Sequence, residues 1–251
     1  MPTVAHLEDF LFACLPPWRL ILVGALPLLL WSTLSLACAA WMKRRWELAT
    51  GYSRKIFHLL TFVSATALQL GGGLAHVCLF GGMTTLVLAY TLRCGAGHPF
   101  YEAIARPADA PYRSYHVVVS YVATLLGGLL SNLVAGPFAL CGYLVCGLGD
   151  AAGEPVGTRW GRHWYAVPAR AGTSARRSLE GSAGVFVVSS LALLVGIAAL
   201  VGGAQIAGVW HVVLAIAALC TFVEALTPHG WDNVTLQVAP SLLVALLLGP
   251  H

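Results

Sequence analysis

Residues 183–202 read AGVFVVSSLALLVGIAALVG, and no side chain in this stretch is charged. An apolar α-helix of about 20 residues is long enough to cross the hydrocarbon core of a bilayer. The stretch therefore predicts a transmembrane helix. Seven further segments have the same character, so we expect eight spans, at about residues 18–41, 56–71, 74–92, 115–131, 133–149, 183–202, 206–226 and 236–250.

The composition is that of a chain lying mostly in the membrane. Hydrophobic residues make up 58% of the 251 positions and charged residues only 10%, whereas soluble domains carry about 25% charged residues. The eight spans leave no room for a separate soluble domain, so we expect one all-α transmembrane bundle over residues 1–251. The net charge of +4 is small, and no nucleic-acid partner is expected.

The distribution of basic residues predicts the orientation of the spans. The links after the first, third, fifth and seventh spans are polar, and thirteen of the 14 Lys and Arg residues lie in or beside them. Only Arg19 lies at the opposite face. Because basic residues accumulate on the cytoplasmic side, we expect both termini outside and any chemistry at the cytoplasmic boundary. The absence of a transit peptide favours a bacterial plasma membrane.

Two carboxylates and three glycines follow the fifth predicted span directly. Asp150 and Glu154 are four residues apart, which places them on one face of a continuing helix. Such a pair suits Mg²⁺, which binds one or two protein carboxylates together with substrate phosphates. Gly149, Gly153 and Gly157 would let either a bulky ligand or another helix approach the backbone closely. The sequence leaves these two alternatives open.

Three cationic or titratable residues open the second predicted span. Arg54, Lys55 and His58 lie within five positions, and cations at a helix N-terminus favour phosphate binding. The alternative for Arg54 and Lys55 is a positively charged anchor on the cytoplasmic side.

A late acidic residue, Glu224, lies within an apolar run. A carboxylate in such a position needs a cation, a metal ion or a proton. Asp232 follows shortly after and could either join this site or N-cap the last span. The charge-mixed link at residues 93–114 either covers a site or merely connects two spans.

Several of these motifs together resemble the polyprenol kinase family, which includes phytol kinases, dolichol kinases and CTP-dependent diacylglycerol kinases. The resemblance covers about residues 50 to 240. The residues that carry it are Arg54-Lys55 with His58; Gly149-Asp150 with Gly157, Arg159 and Gly161; Ser178 to Ser182; and Glu224 with Asp232-Asn233. The chain departs from the family at Glu154-Pro155 and at Arg177, where a lysine is common.

The resemblance implies phosphoryl transfer from a nucleoside triphosphate, typically CTP, to the hydroxyl of an isoprenoid alcohol such as phytol, farnesol or a polyprenol. Asp150 and Glu154 would hold Mg²⁺, and Asp150 or Glu224 would accept the alcohol proton. The residues expected to bind the nucleotide are Arg54, Lys55, His58, Gly149, Gly153, Gly157, Arg159, Arg177, Ser178, Glu180, Gly181, Asp232 and Asn233.

Two other functions fit parts of the pattern. A cytidylyltransferase of the CDP-diacylglycerol synthase type would also use CTP, Mg²⁺ and carboxylates, but it would release pyrophosphate instead of CDP. A transporter would place ionisable residues near the bilayer midplane and broken helices in two repeats. Here the charged residues concentrate at one interface, which favours the kinase.

Overall fold

The computed structural model describes residues 4–167, 175–203, 206–227 and 230–249. It confirms the all-α fold. The helices are α1 (Val4–Cys14), α2 (Trp18–Arg45), α3 (Thr50–Gly72), α4 (Leu74–Cys94), α5 (Pro99–Ile104), α6 (Arg113–Ala135), α7 (Ala139–Leu144), α8 (Asp150–Trp160), α9 (Leu179–Val201), α10 (Ile206–Leu226) and α11 (Asp232–Leu248). A two-stranded hairpin is formed by β1 (Trp164–Val167) and β2 (Ala175–Ser178). The helix α1 and this hairpin were not predicted from the sequence.

The chain is a polytopic integral membrane protein. Within the described ranges, five helical stretches are long and apolar enough to cross a bilayer: Trp18–Arg45, Leu74–Cys94, Arg113–Trp160, Leu179–Val201 and Gly208–Leu226. The helix α11 is apolar but shorter. Each of the eight predicted spans overlaps helical residues, and the fourth and fifth fall in the 48-residue stretch Arg113–Trp160. Residue 250, at the end of the last predicted span, lies outside the described residues.

Two compact units divide the chain, residues 1–114 and residues 115–251. In the first unit α2, α3 and α4 pack together around buried side chains that include Leu36, Phe62 and Phe80. A buried hydrogen bond of 2.7 Å joins the hydroxyl groups of Ser32 on α2 and Thr84 on α4.

The link after α4 is a folded part of this first unit. Its helix α5 is capped by His98, whose side chain accepts the N–H of Phe100. Ala103 and Ala105 are fully buried, and Ser53 at the start of α3 donates a 2.6 Å hydrogen bond to the carbonyl of Ala103. The link therefore packs against the beginning of α3, the segment that carries the predicted phosphate-binding residues.

In the second unit the helix running through α7 and α8 packs against α9. Residue numbers fall along one helix as they rise along the other: Gly157 lies beside Gly181, and Gly149 lies beside Ser189. The two helices are therefore antiparallel. Tyr143, Leu193 and Leu236 are among the fully buried side chains of this unit.

A π-helical segment, Val145–Gly149, joins α7 to α8 and ends directly before Asp150. Such segments are rare in proteins overall, but those that occur often lie at functional sites. The extra residue in the turn changes the direction in which the following side chains point. The candidate acid Asp150 is thus the first residue after a local irregularity in an otherwise regular helix.

Candidate functional site

Arg177 lies between two carboxylates in the second unit. Its Nε is 2.9 Å from Oε1 of Glu224, and its Nη2 donates a 3.1 Å hydrogen bond to Oδ2 of Asp232. The three side chains are 17%, 7% and 8% exposed. The remaining nitrogen, Nη1, is buried and has no hydrogen-bond partner among the described residues.

The hairpin turns Arg177 toward the helices. In the register of the two strands, Arg177 faces Tyr165 and Arg176 faces Ala166. Side chains alternate between the two faces of a strand, so Arg177 and the buried Val167 share one face while the exposed Arg176 points away. Glu224 comes from the end of α10 and Asp232 from the beginning of α11.

The ion pairs of Arg177 explain how Glu224 is tolerated within an apolar run. A carboxylate in an apolar run needs a counter-charge, and the structure supplies the guanidinium of Arg177. The proposed N-cap role of Asp232 is wrong: Trp231 occupies the N-cap, and Asp232 is the first helical residue. There its negative charge faces Arg177 and lies in the first turn, where the helix dipole favours an anion.

Asp150 and Glu154 begin α8, so the helix that their spacing requires is present. Asp150 is buried and Glu154 half-buried. The neighbouring Gly149 lies beside Ser189, ten residues into α9, which corresponds to about 15 Å along that helix. Asp150 thus lies alongside the middle of α9, deeper than the end of the predicted span suggested.

A carboxylate pair on one helix face has the donor chemistry that Mg²⁺ prefers. Within the described ranges no group of three or more His, Cys, Asp or Glu side chains is placed to hold a metal ion. Magnesium binding by Asp150 and Glu154 stays a prediction, in which water and phosphate oxygens complete the coordination.

The three glycines of this segment lie at the contact between helices. A Cβ at Gly149 would be 2.2 Å from Oγ of Ser189, one at Gly153 would be 2.8 Å from Cγ2 of Val185, and one at Gly157 would be 2.9 Å from Oγ of Ser178. Helix α9 therefore occupies the space that the missing side chains leave. Packing accounts for the spacing of the glycines, and their contact with a nucleotide stays a prediction.

The segment from Ser178 to Ser182 fastens the hairpin to α9. Ser178 caps this helix by accepting the N–H of Gly181 at 3.0 Å. Oε2 of Glu180 accepts the backbone N–H groups of Arg162 at 3.0 Å and His163 at 3.3 Å. These contacts give Ser178 and Glu180 a structural role, and their role in nucleotide binding, with that of Gly181, stays a prediction.

Arg54, Lys55 and His58 lie in the first three turns of α3, in the first unit, and are half-buried. The ring of His58 packs against Phe62, with 4.7 Å between ring centroids. Their role in phosphate binding stays a prediction.

Arg159 and Asn233 were also predicted to bind the nucleotide, and both contact other parts of the protein. Arg159 is exposed, and its guanidinium lies over the ring of Trp160 at 5.4 Å. The side-chain amide of Asn233 donates to the carbonyl of Ser120 at 3.1 Å and to the hydroxyl of Thr124 at 2.9 Å. Asn233 therefore holds α11 against α6, and its part in ligand binding stays a prediction.

The sequence did not reveal a polar network deep in the second unit. Asn132 donates to the hydroxyl of Tyr143, and the amide of Gln237 donates to the carbonyls of Thr124 and Asn233. The available signal was an amide or phenol side chain inside a predicted span, at Tyr143 and Gln237, and the amide of Asn132 in the turn between two spans. Because their separation in sequence exceeds 90 residues between α7 and α11, only the tertiary structure brings them near one another.

Comparison with known proteins gives one distant relative. No protein-family model matches the chain, and no solved structure matches it. The chain is 33% identical over 122 residues to a protein from Synechocystis sp. described as a phytol kinase. The matched region covers 49% of this chain and 49% of that relative, so the similarity spans about half the length of each protein.

Proposed function

We propose that the chain is a membrane phosphotransferase that transfers a phosphoryl group from a nucleoside triphosphate, preferentially CTP, to the hydroxyl of an isoprenoid alcohol. Phytol, farnesol and longer polyprenols are the candidate acceptors. The observation that carries the proposal is the Arg177 site: a guanidinium held by Glu224 and Asp232 that keeps one buried nitrogen without a protein acceptor among the described residues.

Phosphoryl transfer depends mainly on positioning and on neutralising phosphate charge. Arginine suits this task because its planar guanidinium binds phosphate oxygens in a fixed geometry. The two carboxylates fix Nε and Nη2 of Arg177, so that Nη1 is available to a phosphate oxygen. The three side chains together carry a formal charge of −1. A nucleotide would therefore bind here more favourably as its Mg²⁺ complex than as the free anion.

Asp150 and Glu154 are the residues that would hold Mg²⁺. The ion would neutralise charge on the transferred phosphoryl group and its neighbours. Glu224 is engaged in an ion pair with Arg177. Asp150 or Glu224 is the carboxylate that would accept the alcohol proton.

An isoprenoid alcohol fits the surroundings of Asp150. The residue lies alongside the middle of an apolar spanning helix, where a prenyl chain can dissolve in the hydrocarbon layer and bring its hydroxyl to the carboxylate. The description of the Synechocystis relative as a phytol kinase supports the same class of acceptor.

The test uses purified full-length protein in nanodiscs with Mg²⁺ and γ-labelled CTP or ATP. Phytol, farnesol, a polyprenol and diacylglycerol are offered in turn. We expect label in an organic-soluble phosphate and release of the nucleoside diphosphate, with no transfer by an Asp150→Asn variant that is folded as judged by gel filtration. Pyrophosphate release on addition of phosphatidate, without labelled lipid, would instead identify a cytidylyltransferase.

A further inference from the structure

The hairpin has an outward side that differs from the side bearing Arg177. Cross-strand partners share a face, so Trp164 and Ser178 form one pair on this side, and Ala166 and Arg176 form the next. Ser178 is buried where it caps α9, but Trp164 is 51% exposed and Arg176 is exposed. The outward side therefore offers an aromatic ring and a guanidinium to the surroundings.

Residues at the neighbouring helix ends have the same character. Trp160 at the end of α8 is 60% exposed and carries the guanidinium of Arg159 over its ring. Arg162 in the following turn is exposed, and Leu179 at the beginning of α9 is exposed by 60%. We call the set of Arg159, Trp160, Arg162, Trp164, Arg176 and Leu179 the hairpin surface.

The hairpin surface carries three guanidinium groups. The carboxylate of Glu180 nearby is already engaged by His163 and by the backbone N–H groups of residues 162 and 163. The surface therefore fits an anion that also presents apolar groups, because tryptophan and leucine are exposed beside the arginines.

The position of the hairpin indicates the source of such an anion. The spanning helix α9 begins at Leu179, directly after β2. The hairpin thus meets the bilayer at the level of the headgroups, where tryptophan side chains are enriched. Each juxtamembrane arginine raises the affinity of a segment for an anionic membrane surface by about fivefold. A free nucleotide would satisfy the arginines but would leave Trp164 and Leu179 in water.

We propose that the hairpin surface binds the headgroups of anionic phospholipids, with Trp160 and Trp164 inserted at the glycerol level and the arginines on the phosphates. The occupied surface holds the strand β2 against the bilayer. Because the opposite face of the same strand carries Arg177, lipid binding would also steady the guanidinium in its ion pairs. The binding itself does not depend on the function proposed above.

The test measures how close Trp164 lies to each type of lipid. Full-length protein is placed in nanodiscs containing brominated phosphatidylglycerol or brominated phosphatidylcholine at equal mole fraction, and tryptophan fluorescence quenching is recorded. The difference between the parent protein and Trp164→Phe gives the contribution of Trp164. We expect quenching by the brominated anionic lipid to exceed that by the zwitterionic lipid at least twofold.

Two double variants distinguish the effect of the arginines on the hairpin surface from that of basic residues elsewhere in the chain. Arg162→Gln/Arg176→Gln removes two charges from the hairpin surface and is expected to reduce the quenching ratio to about one. Arg44→Gln/Arg45→Gln removes two exposed charges at the end of α2 and is expected to leave the ratio unchanged. Circular dichroism and gel filtration verify that each variant is folded.

Three outcomes would overturn the proposal. The first is equal quenching by the two lipids in the parent protein, and the second is a preference that survives in Arg162→Gln/Arg176→Gln. The third is loss of the preference on addition of millimolar inorganic phosphate at constant ionic strength, which would show that the surface takes free phosphate.

Discussion

Replacing Arg177 by methionine removes the cation that two buried carboxylates share. Glu224 and Asp232 are 7% and 8% exposed in this arrangement, so little water is available to solvate them after the substitution. Removing one partner of a buried ion pair costs about 3–5 kcal/mol. We expect the lower end, about 3 kcal/mol, because Arg177 itself keeps 17% exposure and water can follow it.

For a chain of this length each kcal/mol lowers the unfolding temperature by about 2–4 °C. The expected decrease for Arg177→Met is therefore roughly 10 °C. The assay is thermal unfolding of the protein in nanodiscs, followed by circular dichroism at one fixed heating rate. Arg176→Met is the matched control: this neighbour lies on the exposed face of the same strand. In nanodiscs of zwitterionic lipid we expect its free energy of unfolding to change by no more than about 0.5 kcal/mol.

A triple variant separates folding from catalysis. Arg177→Met combined with Glu224→Gln and Asp232→Asn removes all three charges of the site, and uncharged replacements for a buried ion pair are often nearly neutral for stability. We expect the triple variant to recover most of the lost unfolding temperature and to remain inactive in phosphoryl transfer. An Arg177→Met protein that unfolds within 2 °C of the parent would refute the reasoning, as would a triple variant no more stable than the single one.

Three further substitutions test other parts of the structure. Asp150→Asn should lower phosphoryl transfer at least about 100-fold while leaving the unfolding temperature within a few degrees; retained turnover would exclude Asp150 from the reaction. Gly153→Val should lower the free energy of unfolding by about 1–3 kcal/mol, because its Cβ would meet Val185. Gly208→Val is the control, since no atom lies near its Cβ position and no helices should be separated. Equal decreases in unfolding temperature for the two variants, measured by circular dichroism, would contradict the packing. The Arg113 guanidinium lowers the pKa of Glu102, and Glu102→Gln removes this ion pair. The parent should therefore be more stable than the variant above about pH 4.3, and this advantage should disappear as pH falls through the lowered pKa of Glu102. A difference in unfolding temperature that is independent of pH would argue against the ion pair.

The membrane-spanning architecture could be predicted from the sequence because it depends on local composition. A run such as residues 183–202 cannot satisfy its backbone groups in hydrocarbon except as a helix, whatever it packs against. The two strands were missed because each has only four residues and is formed only by pairing with the other, with Trp164 opposite Ser178.

The candidate site was predictable as a set of residue types. Glu224 in its apolar run required a counter-charge, and Asp150 with Glu154 had the spacing of one helix face. The identity of the counter-charge was not predictable, since several arginines in the polar links were equally available. The glycine spacing left ligand binding and helix packing as alternatives, and Gly149 and Gly153 could be assigned to a helix contact only when α9 was in place.

A helical membrane protein follows from the sequence alone, because apolar length and the need to satisfy backbone groups act residue by residue along the chain. The sequence also identified the carboxylates and arginines that a membrane interior does not tolerate without partners. The pairing of Arg177 with Glu224 and Asp232 and the position of Asp150 alongside the middle of α9 became known only from the folded arrangement. Those choices depend on the packing of helices from distant parts of the chain, where distances of about 3 Å decide which charges compensate one another.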